Sequence, residues 1–479
     1  MKQHSVEKIG GTSMSQYTAV RNNIIKNPNL ETFYQRIFVV SAYGGITDKL
    51  LEHKKSGEPG IYEYFDNGVH ESYWLKALNE LGTDFEKINA DLFDDDKLKE
   101  EANQFIRERL QDAENCLKGL QTLCSHGHFS LDNHLATVRE MLASIGEAHS
   151  AWNMAALLRT EGVNAEFVDL TGWQDDKHLE LDERINKTFE GLDLETTLPI
   201  ATGYAHSKTG LMKTFNRGYS EMTFSRIAVL TEAREAIIHK EFHLSSADPR
   251  VVGEENAVPI GRTNYDVADQ LANLGMEAIH PKAAKGLRQQ EIPLRVKNTF
   301  DPDHAGTLIT KDYISEKPCV EIIAGRKGVF SLEFFDQDIA GNIEVFDSQI
   351  LAVLKRFKTQ VISKDINANT ITHYIGTNIK NLKRIIRALE EAFPEAEISQ
   401  RKVAIVSAFG SDMQVPGILA KTVSAVAEKN VSVLAIHQSM RQVDMQFIVG
   451  ESDYESAIQG LHQALVEVHD HGRAICLAS

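Results

Sequence analysis

Three short segments carry residue types able to hold an anion. The first is Lys8-Ile9-Gly10-Gly11-Thr12-Ser13, directly after a short strand-like stretch. Adjacent glycines let backbone N–H groups approach an anion closely, and Lys8 adds a positive charge suited to phosphate oxygens. The second is the Gly44-Gly45 pair in SAYGGIT (41–47), and the third is GLMKTFNRGYSE (210–221), which packs Lys213, Thr214, Arg217 and Ser220 ahead of a helix. Such a basic, hydroxyl-bearing approach to a helix suits a carboxylate or phosphate. Taken singly, the glycine pairs read equally as turns, and Ser220 or Thr223 as an ordinary helix cap. Other phosphate chemistry has no support: no two glycines stand at i, i+2, and neither GxxxxGK[ST] nor HRD or DFG occurs.

The elements that must position these segments follow an α/β rhythm. Strand-like runs at 36–41 (RIFVVS), 164–170, 198–204 and 235–242 alternate with helical spacing, for example at 224–234. Ligands in such sheets gather where the strand C-termini meet, so three anion-type loops at strand ends reinforce one another. A long amphipathic helical stretch from about 90 to 160 reads as an insertion, and NTFDPDHAGTLIT (298–310) as the end of the domain. Beyond it lies a repeat: RKGVFSLEFF at Arg326 returns as RKVAIVSAFG at Arg401, 75 residues on. Each copy continues as loop, helix, two strands and helix, the pattern of tandem small α+β modules. In the second copy the helices are expected at 418–428 and 454–468, and the strands at 431–438 and 444–449. The tail Arg473–Leu477 is a candidate last strand. The run Asp94-Asp95-Asp96 reads as a solvated helix start rather than a metal site.

Composition narrows the function. The 479 residues hold 51 Lys plus Arg against 68 Asp plus Glu, a formal charge of −17, which disfavours tracking nucleic acid or an anionic membrane. No apolar run of about 18 residues or signal-peptide core is present, so a soluble cytoplasmic enzyme is expected. Cys116, Cys124, Cys319 and Cys476 are scattered without finger spacing, which argues against disulfides and a zinc site.

With VEKIGGTS (6–13), VVSAYGGIT (39–47), SIGEAHSA (144–151), NRGYSEMTFS (216–225), SSADPRVV (245–252) and GMEAIHPKA (275–283) in this order, the chain resembles the aspartate kinases of the amino-acid kinase superfamily. The resemblance implies a three-layer α/β/α catalytic domain over 1–310, followed by two ferredoxin-like ACT domains at 320–398 and 399–479. It also implies transfer of the ATP γ-phosphoryl group to the side chain of L-aspartate. Carried over by position, Lys8, Gly10 and Gly11 hold the β/γ-phosphates with Thr12 and Ser13 nearby, while Ser245 and Arg250 reach the nucleotide. Ser41, Thr47 and Ser220 contact the amino acid, Glu147 pairs with its α-ammonium, and Arg217 takes its α-carboxylate. Magnesium rides with ATP on phosphate oxygens, with no separate protein-held metal.

The chain departs from the family pattern in places. RGYSE stands for RGGSD, which introduces Tyr219 and puts Glu221 near the phosphoryl group. His239 and Lys240 replace a Thr-Asp pair, Ser245 a tyrosine, and Glu277 a lysine. RGYSE, HKEFHLSSADP and GMEAIHPK together resemble the aspartokinases of ectoine biosynthesis. Two other readings stand beside this one: a superfamily kinase acting on another carboxylate such as N-acetylglutamate, and a catalytically silent ACT-type amino-acid sensor. The ACT pair implies a homodimer or larger even oligomer, with an effector contacted by 336–342 and by the strand near Val361.

Overall fold

The computed structural model describes residues 3–28, 32–54, 56–68, 70–215, 218–276, 278–467 and 470–475. It forms two compact units, Met1–His243 with Ile279–Lys311, and Leu244–Ala278 with Asp312–Ser479. Residues 244–278 therefore group with the C-terminal part of the chain, although they precede the end of the first unit in sequence.

The first unit is built on strands β1 (Ser5–Ile9), β2 (Arg36–Val40), β3 (Ala165–Val168), β4 (Leu198–Thr202), β5 (Glu235–Lys240), β6 (Leu294–Asn298) and β7 (Thr307–Thr310). They lie in the order β3-β4-β2-β1-β5-β6-β7. All neighbours are parallel except β6 and β7. Runs such as RIFVV and LPIAT are buried at every position, as strands covered on both faces must be. Because β1, β2, β4 and β5 are parallel, the loops that follow them open at one edge of the sheet.

Period two then sorts the side chains. In the register Ser5↔Arg36 and Ile9↔His239, Lys8 and Lys240 share one face, while Glu7 and His239 share the other. On that second face the buried Glu7 carboxylate meets Arg36 Nε at 2.6 Å and Nη2 at 2.9 Å, His239 Nε2 at 2.7 Å and Ser5 Oγ at 2.9 Å. Arg36 also donates to the carbonyls of Ile24 and Ile25. His239 is thus locked into a buried network across three strands.

The helices begin with α1 (Gly11–Met14) and α2 (Ile46–Leu50), which follow β1 and β2. The helical stretch starts earlier than the sequence suggested, because α3 spans Glu71–Leu92 before α4 (Asp96–Cys124) and α5 (Asp132–Thr160). Trp74, Leu78, Leu81, Phe85 and Asn89 form the buried stripe of α3 at three- and four-residue steps. Asp95 caps α4 by accepting from Leu98 N, so the acidic run is a helix start. Helix α5 is buried along most of its length. It comes so close to the loop after β2 that a Cβ on Gly146 would lie 2.8 Å from Ala42 Cβ and 2.9 Å from Ile46 Cγ2. The unit's other helices include α6 (Leu211–Phe215), α7 (Tyr219–Leu230) and α8 (Pro281–Gln289).

The second unit bears out the repeat. Strand β8 (Ile322–Phe335), α9 (Ile343–Arg356), β9 (Gln360–Ile366), β10 (Thr370–Gly376) and α10 (Ile379–Ala392) form one copy. The other is β11 (Glu397–Phe409), α11 (Ile418–Glu428), β12 (Val433–Gln438), β13 (Asp444–Gly450) and α12 (Tyr454–Leu465). The copies do not keep separate sheets. Long strands β8 and β11 pair antiparallel from Phe335↔Glu397 to Ile322↔Phe409, giving one six-stranded sheet in the order β9-β10-β8-β11-β13-β12. Ile475 makes only an isolated bridge to Ile260, and residues 476–479, with Cys476, lie outside the described residues. No helix among the described residues is long and apolar enough to cross a membrane.

Candidate active site

The loops after β1, β2 and β4 and the start of α7 bring together most of the expected site residues of the first unit. Lys8 is buried near the end of β1, its Nζ 3.5 Å from Glu221 Oε1. Glu221 Oε2 accepts a 2.5 Å hydrogen bond from the His280 N–H. Burial pushes the Glu221 carboxyl up, but the Lys8 and Lys240 charges and the His280 N–H outweigh it and hold the group below its ordinary value. Glu221 is therefore an anion that orients Lys8. His280 itself caps α8, and its ring sits where a Cβ on Gly218 would be 2.7 Å from Cδ2, which explains a glycine at 218.

Gly10 N is directed at His239 O, 3.4 Å away, and α1 begins at Gly11. A Cβ on Gly11 would lie 2.6 Å from Ala42 O, so this glycine lets the first two loops touch. Thr12 is exposed, whereas Ser13 is fully buried with Oγ 3.0 Å from Thr299 Oγ1. Ser13 is thus an anchor of the loop. Thr47 is half-buried in the first turn of α2, behind Gly45 at φ +81°.

Ser41 Oγ lies 3.4 Å from Ser220 Oγ at the start of α7. Glu147, 2% exposed on α5, is near the same place: a Cβ on Gly203 would be 2.8 Å from Ser220 Cβ and 2.9 Å from Glu147 Oε2. Burial pushes the Glu147 carboxyl up to about 8, against the Lys8 charge, the Tyr219 hydroxyl and the Ala42 and Tyr204 N–H groups, which favour its ionised form. Even so, Oε2 has no hydrogen-bond partner among the described residues. A buried carboxylate oxygen left unpaired is costly, and a cation or hydrogen-bond donor brought to it would relieve that cost.

The remaining expected residues are elsewhere. Arg217 and Glu277 lie outside the described residues. Ser245 and Arg250 belong to the second unit, Ser245 in an isolated bridge to Pro259. Arg250 is 89% exposed at the short helix Pro249–Val252 and ion-paired to Asp248 at 2.7 Å. Lys240, Gly203 and Tyr219 join the site from positions that sequence reasoning either passed over or treated only as departures. A glycine directly after a strand in LPIATGY was the available sign for Gly203. Among the described residues no three His, Cys, Asp or Glu side chains gather as a metal centre would require.

Residues 5–298 match the amino acid kinase family, and residues 406–465 match an ACT domain. Aspartate kinase Ask_Ect of Stutzerimonas stutzeri (strain A1501) is 56% identical over 476 residues, covering 99% of this chain and 100% of that protein. The chain belongs to the aspartate kinase family. Aspartokinase 1, chloroplastic, of Arabidopsis thaliana is a more distant member, 26% identical over 97% of this chain and 80% of its own length. Among solved structures, E. coli aspartokinase III in complex with lysine and aspartate aligns with a TM-score of 0.72 at 20% identity, over 97% of this chain and all of that one. Clostridium acetobutylicum aspartate kinase gives 0.69 at 22%, over 96% of this chain and all of that one. At these identities the two structures establish a shared fold. This aspartate kinase chain therefore joins an amino acid kinase domain to a C-terminal ACT domain.

Proposed function

We propose that this protein transfers the γ-phosphoryl group of MgATP to the side-chain carboxylate of L-aspartate, giving 4-phospho-L-aspartate and ADP, as an ectoine-type aspartokinase. The observation that carries the reading is Glu147: a buried carboxylate whose Oε2 has no partner among the described residues, beside the Ser41–Ser220 hydroxyl pair. An α-ammonium is the group that completes it. A carboxylate oxygen of aspartate attacks the γ-phosphorus, the bond to the β-phosphate oxygen breaks, and ADP leaves with the electron pair. The nucleophile needs no activating base, so the protein's work is positioning and charge neutralisation. Lys8, held by Glu221, faces the phosphoryl group, with Gly10, Gly11 and Thr12 at the phosphates and Ser13 fixing their loop. Ser41, Thr47 and Ser220 bind the amino acid, and Arg217 takes its α-carboxylate. Ser245 and Arg250 serve the nucleotide, Arg250 exchanging Asp248 for phosphate. Magnesium enters with the nucleotide on phosphate oxygens and water. The ACT pair suits a cytoplasmic homodimer or larger even oligomer that reads an amino-acid effector through 336–342 and the strand from Gln360.

Acyl-phosphate formation trapped as the hydroxamate tests this reading. L-aspartate should give product with MgATP and N-acetyl-L-aspartate should not, since acetylation removes the charge that Glu147 needs. Glu147→Gln should lower kcat/KM for aspartate at least about a hundredfold, roughly 2.7 kcal/mol. Absence of product from L-aspartate overturns the proposal in favour of a silent sensor. Equal use of the acetylated acceptor points to a kinase of N-acylated substrates.

A further inference from the structure

We propose that α12 is a two-point clamp on the segment that carries Ser245 and Arg250, with His462 and Gln459 as positioning residues for the nucleotide. The inference rests on the reading above, in which Ser245 and Arg250 serve ATP, and adds what holds them in place.

The segment belongs to the second unit and is fastened there by its backbone and by its apolar side chains. Ser246 N donates to Val258 O at 2.8 Å, and Ser246 O accepts from Ile323 N of β8 at 2.7 Å. Ala247 shares a buried core with Leu461 and Leu465 of α12, and Val251 and Val252 pack against it. Two polar anchors add direction to this packing. His462 Nε2 lies 2.9 Å from Ser246 Oγ, and Gln459 Nε2 donates to Val251 O at 2.8 Å. Residues three apart share a helix face, so a single turn of α12 grips both ends of 246–251. Arg250 lies between the anchors. Its side chain is 89% exposed and paired with Asp248 in its own turn, so its reach is set by the backbone that the clamp holds.

The His462 anchor has a defined proton order. Ser246 Oγ accepts from Val258 N at 3.0 Å, which leaves its O–H to donate to His462 Nε2. Nδ1 then carries the ring proton and donates it to Glu467 Oε1 at 2.8 Å. Serine, histidine and glutamate in this order are the parts of a hydrolytic triad, but Ser246 and His462 are both 0% exposed, so no substrate reaches Oγ. The relay holds rather than reacts. Any other arrangement of the buried hydroxyl and ring leaves a polar group unpaired, which keeps this one in place.

MgADP binding by calorimetry, without aspartate, is the test. His462→Phe removes both anchoring nitrogens and should weaken binding about tenfold. Gln459 is exposed, so Gln459→Ala leaves the core intact and should weaken binding about threefold. Glu467→Gln keeps an acceptor for the Nδ1 proton and should stay within about twofold of wild type. Because the anchors act through Arg250, adding Arg250→Ala to either variant should weaken binding by less than the separate losses combined. In turnover the KM for ATP should rise while the KM for aspartate changes less than about twofold. Unchanged MgADP affinity in His462→Phe and Gln459→Ala, or losses that combine fully with that of Arg250→Ala, overturns the clamp. If His462→Phe does not fold, Gln459→Ala decides. A wild type that binds MgADP but makes no product from aspartate overturns the acceptor reading alone, since the clamp is judged without aspartate.

Discussion

Replacing Arg36 by Met isolates the buried network beneath the site. In the intact protein the Arg36 guanidinium makes two contacts of 2.6 and 2.9 Å to the Glu7 carboxylate and two to backbone carbonyls. Without it, Glu7 keeps Ser5 Oγ and His239, and burial holds His239 below its ordinary value, toward the neutral form. Breaking one side of such a pair costs about 3–5 kcal/mol, most of it from the charge left behind. For a unit of this size that is a fall in thermal midpoint on the order of 10 °C. The pH dependence should change sign as well. Burial pushes the Glu7 carboxyl up, but Arg36 and His239 outweigh it and hold it far below its unfolded value of 4.5. Its contribution to stability is therefore present above pH 4.5 and lost as pH falls through the folded value. In Arg36→Met burial acts with little opposition, the folded value rises above 4.5, and the deficit should be largest near pH 7.5 and shrink toward pH 4.5. Thermal and denaturant midpoints across that range, for Arg36→Met and for Arg36→Met with Glu7→Gln, measure this. The double variant should regain more than half of the loss at pH 7.5. A single variant costing under about 1 kcal/mol, or a double variant no better than the single, refutes the reasoning.

Gly203→Ala places a Cβ 2.8 Å from both Val40 O and Ser220 Cβ and 2.9 Å from Glu147 Oε2. Overpacking of this kind costs about 1–3 kcal/mol, and here it displaces the carboxylate. The KM for aspartate should rise at least tenfold with ATP binding retained, and an unchanged aspartate kcat/KM would show that Gly203 does not border the acceptor. In the second unit Glu321 is fully buried, with Oε1 accepting from Ser411 N at 3.0 Å and from Ser411 Oγ. Burial raises its carboxyl from 4.5 to about 7 despite the Ser411 bonds. The stabilisation from the retained proton is full below pH 4.5 and is lost as pH rises through 7, about 3 kcal/mol in all. Glu321→Gln should therefore raise the denaturation midpoint relative to wild type at pH 8.5 and change it little at pH 5; a gain of the same size at both pH values counts against the account.

What was legible from the residues is what depends on near neighbours in sequence. Ile418–Glu428 is expected from apolar spacing alone and found there, and Val431–Gln438 differs from the strand found only at its first two residues. Lys8 and the glycines after it are equally local. The start of α3 was missed although its stripe from Trp74 to Asn89 was present, because Gly82 and Thr83 and a polar outer face dilute the helical signal. The larger misses are non-local. Nothing near Glu7 announces Arg36 and His239, which only the register of three parallel strands brings together. Glu147 could be named from a motif, but its unpartnered oxygen depends on how closely α5 approaches the loop at Ala42. His239 and Lys240 are adjacent in sequence and read as one change, yet strand alternation sends them to opposite faces, one to a structural network and one to the site.

The pairing of β8 with β11 has a consequence for how the second unit comes into being. A strand of 14 residues leaves the ribosome and waits while its own repeat is completed before its long partner, 13 residues, is synthesised. During that interval β8 has β10 on one side and an open row of N–H and C=O groups on the other, an invitation to pair with a neighbouring chain. Neither repeat is thus a portable module: a cut near residue 396 would leave each half with a long bare edge. The two copies are translated in turn but become soluble together.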